Sequence, residues 1–238
     1  MVTALIFAGG TGIRMNTRSK PKQFLEMHGK PIIIYTLEHF ENHKDIDNIV
    51  VVCLEEWIGE LKKILHRYEI TKVSKIVPGG QTGHESIYNG LCAMENLCEG
   101  DDIVLIHDGV RPLITAELIS SNIDMVKKYG NAITAEAAKE SVVRSKNDGE
   151  IIEIPPRNEM YVAKAPQSFY YKDIMELHKR AYADKVKSID SSHLCSMYNV
   201  KMHMVKSTSY NIKITEPADY YIFRALYEAT ENQQIFGI

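Results

Sequence analysis

Four cysteines, one tryptophan and no strong excess of either charge characterise this 238-residue sequence. Cys53, Cys92, Cys98 and Cys195 form no CxxC pair, and no Cys/His group has zinc-ligand spacing. That removes a disulfide-stapled miniprotein, and free, buried thiols in a reducing cytosol are expected. The 28 Lys+Arg against 31 Asp+Glu give −3, which argues against the broad basic face of a nucleic-acid binder. A focused site for a small anion survives that argument, because a few cations can gather locally. The opening apolar run, residues 2–8, stops at Gly9-Gly10 with no basic stretch before it. It is far short of the roughly 20 residues a membrane helix needs. A cytoplasmic chain with neither membrane nor nucleic-acid partner is expected. Linkers, repeats and low-complexity tracts are also missing, so 1–238 reads as one domain.

What is present alternates. Val2–Ala8, Asn48–Cys53, Val73–Val77 and Asp102–His107 are apolar runs of strand length. Between them, Pro31–Phe40, Glu56–Tyr68 and Glu85–Leu97 carry apolar residues at helical spacing. Strand and helix in alternation predict an α/β fold: a Rossmann-like, mostly parallel sheet flanked by helices. Near residue 139 the pattern breaks. Ser141–Lys146, Asn147-Asp148-Gly149 and Glu150–Ile154 read as a β-hairpin, since Asp-Gly is a hairpin turn signal, and Pro155-Pro156 ends it. This segment, about 139–160, is either a plain surface hairpin or an arm that packs on a second subunit. Lys172–Ala183 reads as a helix, Lys201–Val205 as a strand and Pro217–Glu231 as a closing helix.

In an open parallel sheet, ligands bind beyond the carboxyl ends of the strands. Those ends hold 8–22, 79–86 and 107–111, with glycines, hydroxyls, cations and one carboxylate. Ala8-Gly9-Gly10-Thr11-Gly12 lets backbone N–H groups approach phosphate, with Arg14 and Lys22 adding charge. It has no Gly-Lys-Ser/Thr, and Met15 stands where a dinucleotide fingerprint needs glycine. Composition alone leaves a phosphate loop and a plain tight turn both open. Asp108 is likewise either a metal ligand or the cap of a turn.

The longer strings are more specific. Leu5–Met15 with Pro21-Lys22-Gln23-Phe24-Leu25, His107–Pro112, Ala165–Phe169 and Asn211–Thr215 recur in order and spacing over about residues 2–226. They resemble the cytidylyltransferases that act on 2-C-methyl-D-erythritol 4-phosphate or ribitol 5-phosphate. Arg157–Tyr161 and Tyr210–Lys213 lean toward the ribitol-phosphate branch. The resemblance implies that Ala8, Gly9, Gly10, Thr11 and Gly12 wrap the CTP phosphates, with Arg14 and Lys22 on the triphosphate. It implies that Gly80 and Gln81 border the cytosine, that Ser86 hydrogen-bonds the nucleotide and that Asp108 holds Mg²⁺. Arg111, Ser141, Arg157 and Lys213 would bind the polyol phosphate. The hairpin would reach a neighbouring subunit, giving a homodimer whose site mixes residues of both chains.

The implied reaction is attack of the acceptor's phosphate oxygen on the α-phosphorus of CTP, with pyrophosphate leaving. No general base is required, because a phosphate monoester with a second pKa of about 6 is largely dianionic at neutral pH. Catalysis then rests on positioning and charge neutralisation by Arg14, Lys22 and Lys213. The chain departs from the family pattern at three places. Gly83 replaces an arginine, Ala165 a threonine, and the later loop reads Ile189-Asp190-Ser191 in place of a threonine and acids. Lost hydroxyls point to a different acceptor, ribitol phosphate ahead of methylerythritol phosphate, with glycerol phosphate or another alditol phosphate still open. Two other classes compete: a nucleotide-binding module without activity, supported by Gly83, and a nicotinamide oxidoreductase, disfavoured by Met15. His107 is expected to be a buried, hydrogen-bonded histidine; Trp57, Tyr220, Tyr221 and Tyr227 are expected to pack. His84 and His193 carry no assignment.

Overall fold

The chain begins as a strand because Val2–Ala8 (β1) is apolar on both faces, and a central parallel strand is buried on both. In this computed structural model, residues 1–10, 20–146 and 148–236 are described. Glu26–Met27 (β2) and Lys30–Pro31 (β3) form a small ribbon leading into α1, Ile32–Glu41. Then follow β4 (Asn48–Cys53), α2 (Ile58–Arg67), β5 (Val73–Pro78), α3 (Gly83–Ala93) and β6 (Ile103–Asp108). These match the expected alternation, although α3 starts two residues earlier than Glu85 and stops before Leu97. Thr82 sets that start: its Oγ1 accepts the Glu85 N–H at 3.1 Å, a helix N-cap.

The next elements were not visible in the sequence pattern: α4 (Ala116–Tyr129) and β7 (Asn131–Ala137). The hairpin follows as β8 (Arg144–Ser145) and β9 (Ile151–Glu153), paired antiparallel and shorter than expected. Its turn residue Asn147 lies outside the described residues. Then come β10 (Tyr161–Tyr170), α5 (Tyr171–Ala183), α6 (Ser191–Met197), β11 (Met204–Lys206) and α7 (Pro217–Phe236). The strand expected over Lys201–Val205 is displaced toward the C-terminus, to Met204–Lys206.

One seven-stranded sheet runs β11-β7-β10-β6-β1-β4-β5. The sheet is mostly parallel, as expected, but β10 is antiparallel to both β6 and β7. Its register shifts between Ala163 and Gln167, around Pro166, which has no N–H for a ladder. Residues of α1, α2 and α4 pack with one face of the sheet in one hydrophobic cluster, and those of α3 and α5 form another. A third cluster, with Tyr35, Val110, Ile214 and Phe223, lies near the end of β6. The helix α3 lies so close to the sheet that a Cβ on Gly90 would come within 2.4 Å of Leu5.

Trp57 stacks on Phe24, and Tyr227 meets the edge of Tyr35, so these rings pack as expected. Tyr220 packs against the Phe223 cluster, whereas Tyr221 is exposed. The thiols are all free, but Cys92 is exposed, against the expectation that all four are buried. It falls on the outer face of α3, away from Ile87 and Leu91. Among the described residues, no helix is long and apolar enough to cross a membrane.

Candidate active site

Two glycine turns meet beyond the carboxyl ends of β1 and β5. A Cβ on Gly9 would lie 3.4 Å from the Ser86 hydroxyl and 3.7 Å from the Gly79 Cα. A Cβ on Gly80 would lie 2.3 Å from the Glu85 side chain, so only glycine fits that turn without displacing α3. Ser86 was expected to face a nucleotide. Its hydroxyl also holds the turn itself, accepting the Gly80 N–H at 3.0 Å and donating to the Thr82 carbonyl at 2.9 Å. The Gln81 N–H donates to the Glu85 carboxylate at 2.7 Å, so Gly80 and Gln81 are fixed from both sides. Ala8 is anchored by Gln23, whose amide donates to its carbonyl at 2.6 Å. Thr11, Gly12 and Arg14 lie outside the described residues.

Asp108 closes β6 and is the electrostatic centre of the site. Arg111, three residues on, donates through Nε to its Oδ2 at 3.1 Å, and both side chains are buried. Lys213 Nζ stands 2.5 Å from Oδ1. That contact pairs the Lys213 ammonium with the buried Oδ1. Burial pushes the Asp108 carboxyl up, but Arg111 and Lys213 outweigh burial and hold it well below the usual carboxylate range. Asp108 is therefore ionised at any working pH.

The loop carrying Lys213 is pinned on both sides. The Ile214 N–H donates to the Val110 carbonyl at 2.9 Å, and its own carbonyl accepts Lys22 Nζ at 2.9 Å. Asn211 accepts Arg111 through its carbonyl at 2.8 Å and donates from its amide to the Ala165 carbonyl at 2.8 Å. Arg111 and Lys213, far apart in sequence, thus meet at one carboxylate, and Lys22 is tied to the same loop through the Ile214 carbonyl. His107 is the structural histidine expected. Its Nε2 is 3.2 Å from the Arg111 carbonyl, and burial with the nearby Arg111 charge pushes its pKa down to about 3. It is neutral and donates from Nε2.

A cavity of about 330 Å³ opens at Asp108, Arg111 and Lys213. Gly83, Ala165, Ile189 and Ser191, the positions that depart from the family pattern, all line it. Gln167 of β10 lines it too, a residue that sequence reasoning quoted within a motif and gave no role. A larger, more open cleft of about 1110 Å³ lies beside Gly79, Gly80 and Gln81, walled by α3 and the end of α5. His84 borders this cleft and bonds Ser188 at 2.8 Å. His193 is elsewhere, accepting from the Ile189 N–H at 3.2 Å. Two expected acceptor residues are not gathered at the cavity: Ser141 and Arg157 are exposed along the hairpin segment of the same chain.

Known proteins share both sequence and fold with this chain. The family profile described as IspD, 2-C-methyl-D-erythritol 4-phosphate cytidylyltransferase, matches residues 2–228. A ribitol-5-phosphate cytidylyltransferase of Vibrio parahaemolyticus is 50% identical over 238 residues, covering 100% of both chains. One of Streptococcus agalactiae is 49% identical over 239 residues, again covering 100% of both. A 2-C-methyl-D-erythritol 4-phosphate cytidylyltransferase of Clostridium botulinum is 39% identical, over 91% of this chain and 93% of its own. The crystal structure of 4-diphosphocytidyl-2C-methyl-D-erythritol synthase from Anaerococcus prevotii superposes with TM-score 0.83 at 29% identity. That match covers 95% of this chain and 96% of the other. A profile match over nearly the whole length, full-length relatives at half identity and a shared fold lead to one conclusion: the chain belongs to the IspD cytidylyltransferase family.

Proposed function

We propose that this protein transfers the cytidylyl group of CTP to ribitol 5-phosphate, releasing pyrophosphate. The observation that carries the reading is the contrast in likeness. Relatives named for ribitol 5-phosphate match 100% of the chain at 49–50% identity, and those named for methylerythritol phosphate match 91% at 37–39%. The site is consistent with it. Glycine turns at Gly9 and Gly79-Gly80 leave room for a nucleotide, and Gly80 and Gln81 would border the base. Arg111 and Lys213 suit a dianionic phosphate. An oxygen of the acceptor phosphate attacks the α-phosphorus in line, the bond to the β-phosphate oxygen breaks, and pyrophosphate departs with that electron pair. Lys22, held against the Ile214 carbonyl, supplies charge pre-positioned beside Lys213.

Mg²⁺ fits Asp108. Its Oδ1 stands 2.5 Å from Lys213 Nζ, so a cation bound there would take the place that the ammonium now holds. Among the described residues no three His, Cys, Asp or Glu gather as a self-sufficient site. A hard cation would then take one protein carboxylate and complete its shell from phosphates and water, neutralising triphosphate charge when bound. A homodimer through the hairpin is part of the same proposal. Val143, Ile151 and Ile154 on that segment, with Val162 at the start of β10, are 50–60% exposed, an apolar surface a second copy would cover. It would also explain why Ser141 and Arg157 stand away from their own chain's cavity.

The test is pyrophosphate release with CTP and Mg²⁺ against a panel of ribitol 5-phosphate, methylerythritol phosphate and the glycerol phosphates. Ribitol 5-phosphate is expected to give the highest kcat/KM, and Lys22→Ala to lower turnover by orders of magnitude with the fold intact. Release from another acceptor alone would overturn the acceptor assignment. Silence with all of them would favour a nucleotide-binding module.

A further inference from the structure

We infer that Ser191, supported by Gln167, reads a hydroxyl of the acceptor's polyol chain and so sets which polyol phosphate the site takes; this rests on the function proposed above. Ser191 is 1% exposed, yet among the described residues its Oγ has no hydrogen-bond partner. A buried hydroxyl normally finds one, and leaving it unmatched costs the folded state. Its neighbours are all engaged. Asp190 accepts from the Ser192 hydroxyl and the His193 N–H, each at 2.8 Å. The Ser192 N–H donates to Gln167 Oε1 at 2.8 Å. That bond fixes the Gln167 amide, and its Nε2 makes no hydrogen bond among the described residues. Ser191 and Gln167 line the same cavity as Asp108, Arg111 and Lys213.

The cavity thus joins two chemistries. Cations paired with a carboxylate suit a phosphate. A buried, unmatched hydroxyl, and an amide whose Oε1 is held by Ser192 while its Nε2 remains a donor, suit a C–OH group, which both donates and accepts. Phe7, Ile87, Ile106 and Ala165 fill in apolar lining that offers a polyol no competing partners. The hydroxyl missing at position 165 is therefore offset by one at 191, on a different element lining the same space. A site of this kind rejects an acceptor lacking the matching hydroxyl, because its own polar group stays unpaired.

The experiment compares kcat/KM for ribitol 5-phosphate with that for each monodeoxy analogue, at saturating CTP, in the wild type, Ser191→Ala and Ser191→Cys. In the wild type one deoxy analogue is expected to be at least roughly tenfold poorer. In both variants ribitol 5-phosphate should fall to the level of that analogue, the analogue itself should not change, and the ratio should collapse to about one. The KM for CTP should hold, and the thermal midpoint should not fall, because removing an unmatched buried hydroxyl relieves a cost. Ser191→Cys keeps the side chain's size, so a fall in every acceptor alike would mean a purely structural role and overturn the inference. Retention of the wild-type ratio in both variants would overturn it as well. A wild type that releases no pyrophosphate with any polyol phosphate would instead overturn the functional reading beneath it.

Discussion

Asp108 has two cationic partners, and they should fail in different ways. Arg111 is buried against it, 8% exposed beside 5%, and also bonds the Asn211 carbonyl. Replacing Arg111 with Ala leaves a buried carboxylate short of its main counter-charge. Breaking one side of a buried pair costs about 3–5 kcal/mol, and with Lys213 still near, the lower end of about 3 applies. For a chain of this length each kcal/mol moves the midpoint by about 2–4 °C, so a drop of roughly 6–12 °C is expected. Lys213 is 39% exposed, and solvent screens its share. Lys213→Ala should cost no more than about 1 kcal/mol, or roughly 4 °C at most. Its effect should fall on turnover instead, on the order of 100-fold, as for removal of one group that stabilises developing charge. Thermal unfolding of both variants, with pyrophosphate release from CTP and ribitol 5-phosphate, separates the two roles. Equal destabilisation by the two substitutions, or an Arg111→Ala midpoint within 2 °C of wild type, would refute the assignment of Arg111 as the structural partner.

Three further outcomes are expected. Gly90→Ala should destabilise by about 1–3 kcal/mol despite the better helix propensity of alanine, because the new Cβ meets Leu5 at 2.4 Å and Val52 at 2.8 Å; urea unfolding measures it. Burial, with His84 adjacent, pushes His178 down to about 3, so between pH 6.5 and 3 the unfolded chain holds a proton that the folded chain lacks. Stability present above pH 6.5 is then lost as pH falls, at about 1.4 kcal/mol per pH unit; His178→Phe should flatten that slope by one proton, and an unchanged slope would sink the argument. Replacing the exposed Ile151 and Ile154 with Asp should turn a dimer into a monomer in sedimentation without lowering the thermal midpoint, and a monomeric wild type would remove the proposed dimer.

The parallel half of the sheet was legible because β1, β4 and β6 are buried on both faces and so read as unbroken apolar runs. The other half was not, for reasons that can be named. In α4 the core-facing row is Ile119, Asn122, Ile123 and Val126. Asn122 breaks the apolar pattern, yet it is fully buried because Thr134 of β7 and Ser168 of β10 satisfy its amide. The partner β7 is Asn-Ala-Ile-Thr-Ala-Glu-Ala, poor in strand formers, and holds its place through neighbours on both sides. The strand β10 contains a proline, which sequence reasoning takes as a break. Of the site, Asp108, Arg111 and Lys213 were legible through their motifs. Ser191 and Gln167 were not, since an unmatched hydroxyl or amide becomes visible only once its surroundings are known.

The direction of β10 is what turns scattered sequence differences into one pocket. A parallel strand beside β6 would bring its carboxyl end to Asp108. Because β10 runs antiparallel, with Gln167 opposite Ile106, the residues before Gln167 lie beside the carboxyl end of β6 instead. Ala165 and Gln167 therefore reach the cavity that Asp108, Arg111 and Lys213 share, and the Gln167 bond to Ser192 draws the start of α6 to the same place. Gly83 arrives from the first residue of α3, on the other side of β1. Three substitutions that look independent along the chain consequently act on one volume. A smaller residue at 83 or 165 changes the space and polarity that Ser191 meets, so their effects on acceptor choice should be coupled rather than additive. A cycle between Ala165→Thr and Ser191→Ala measures this. A coupling energy beyond about 0.5 kcal/mol in kcat/KM for ribitol 5-phosphate is expected, and strict additivity would mean that the two residues do not share a ligand.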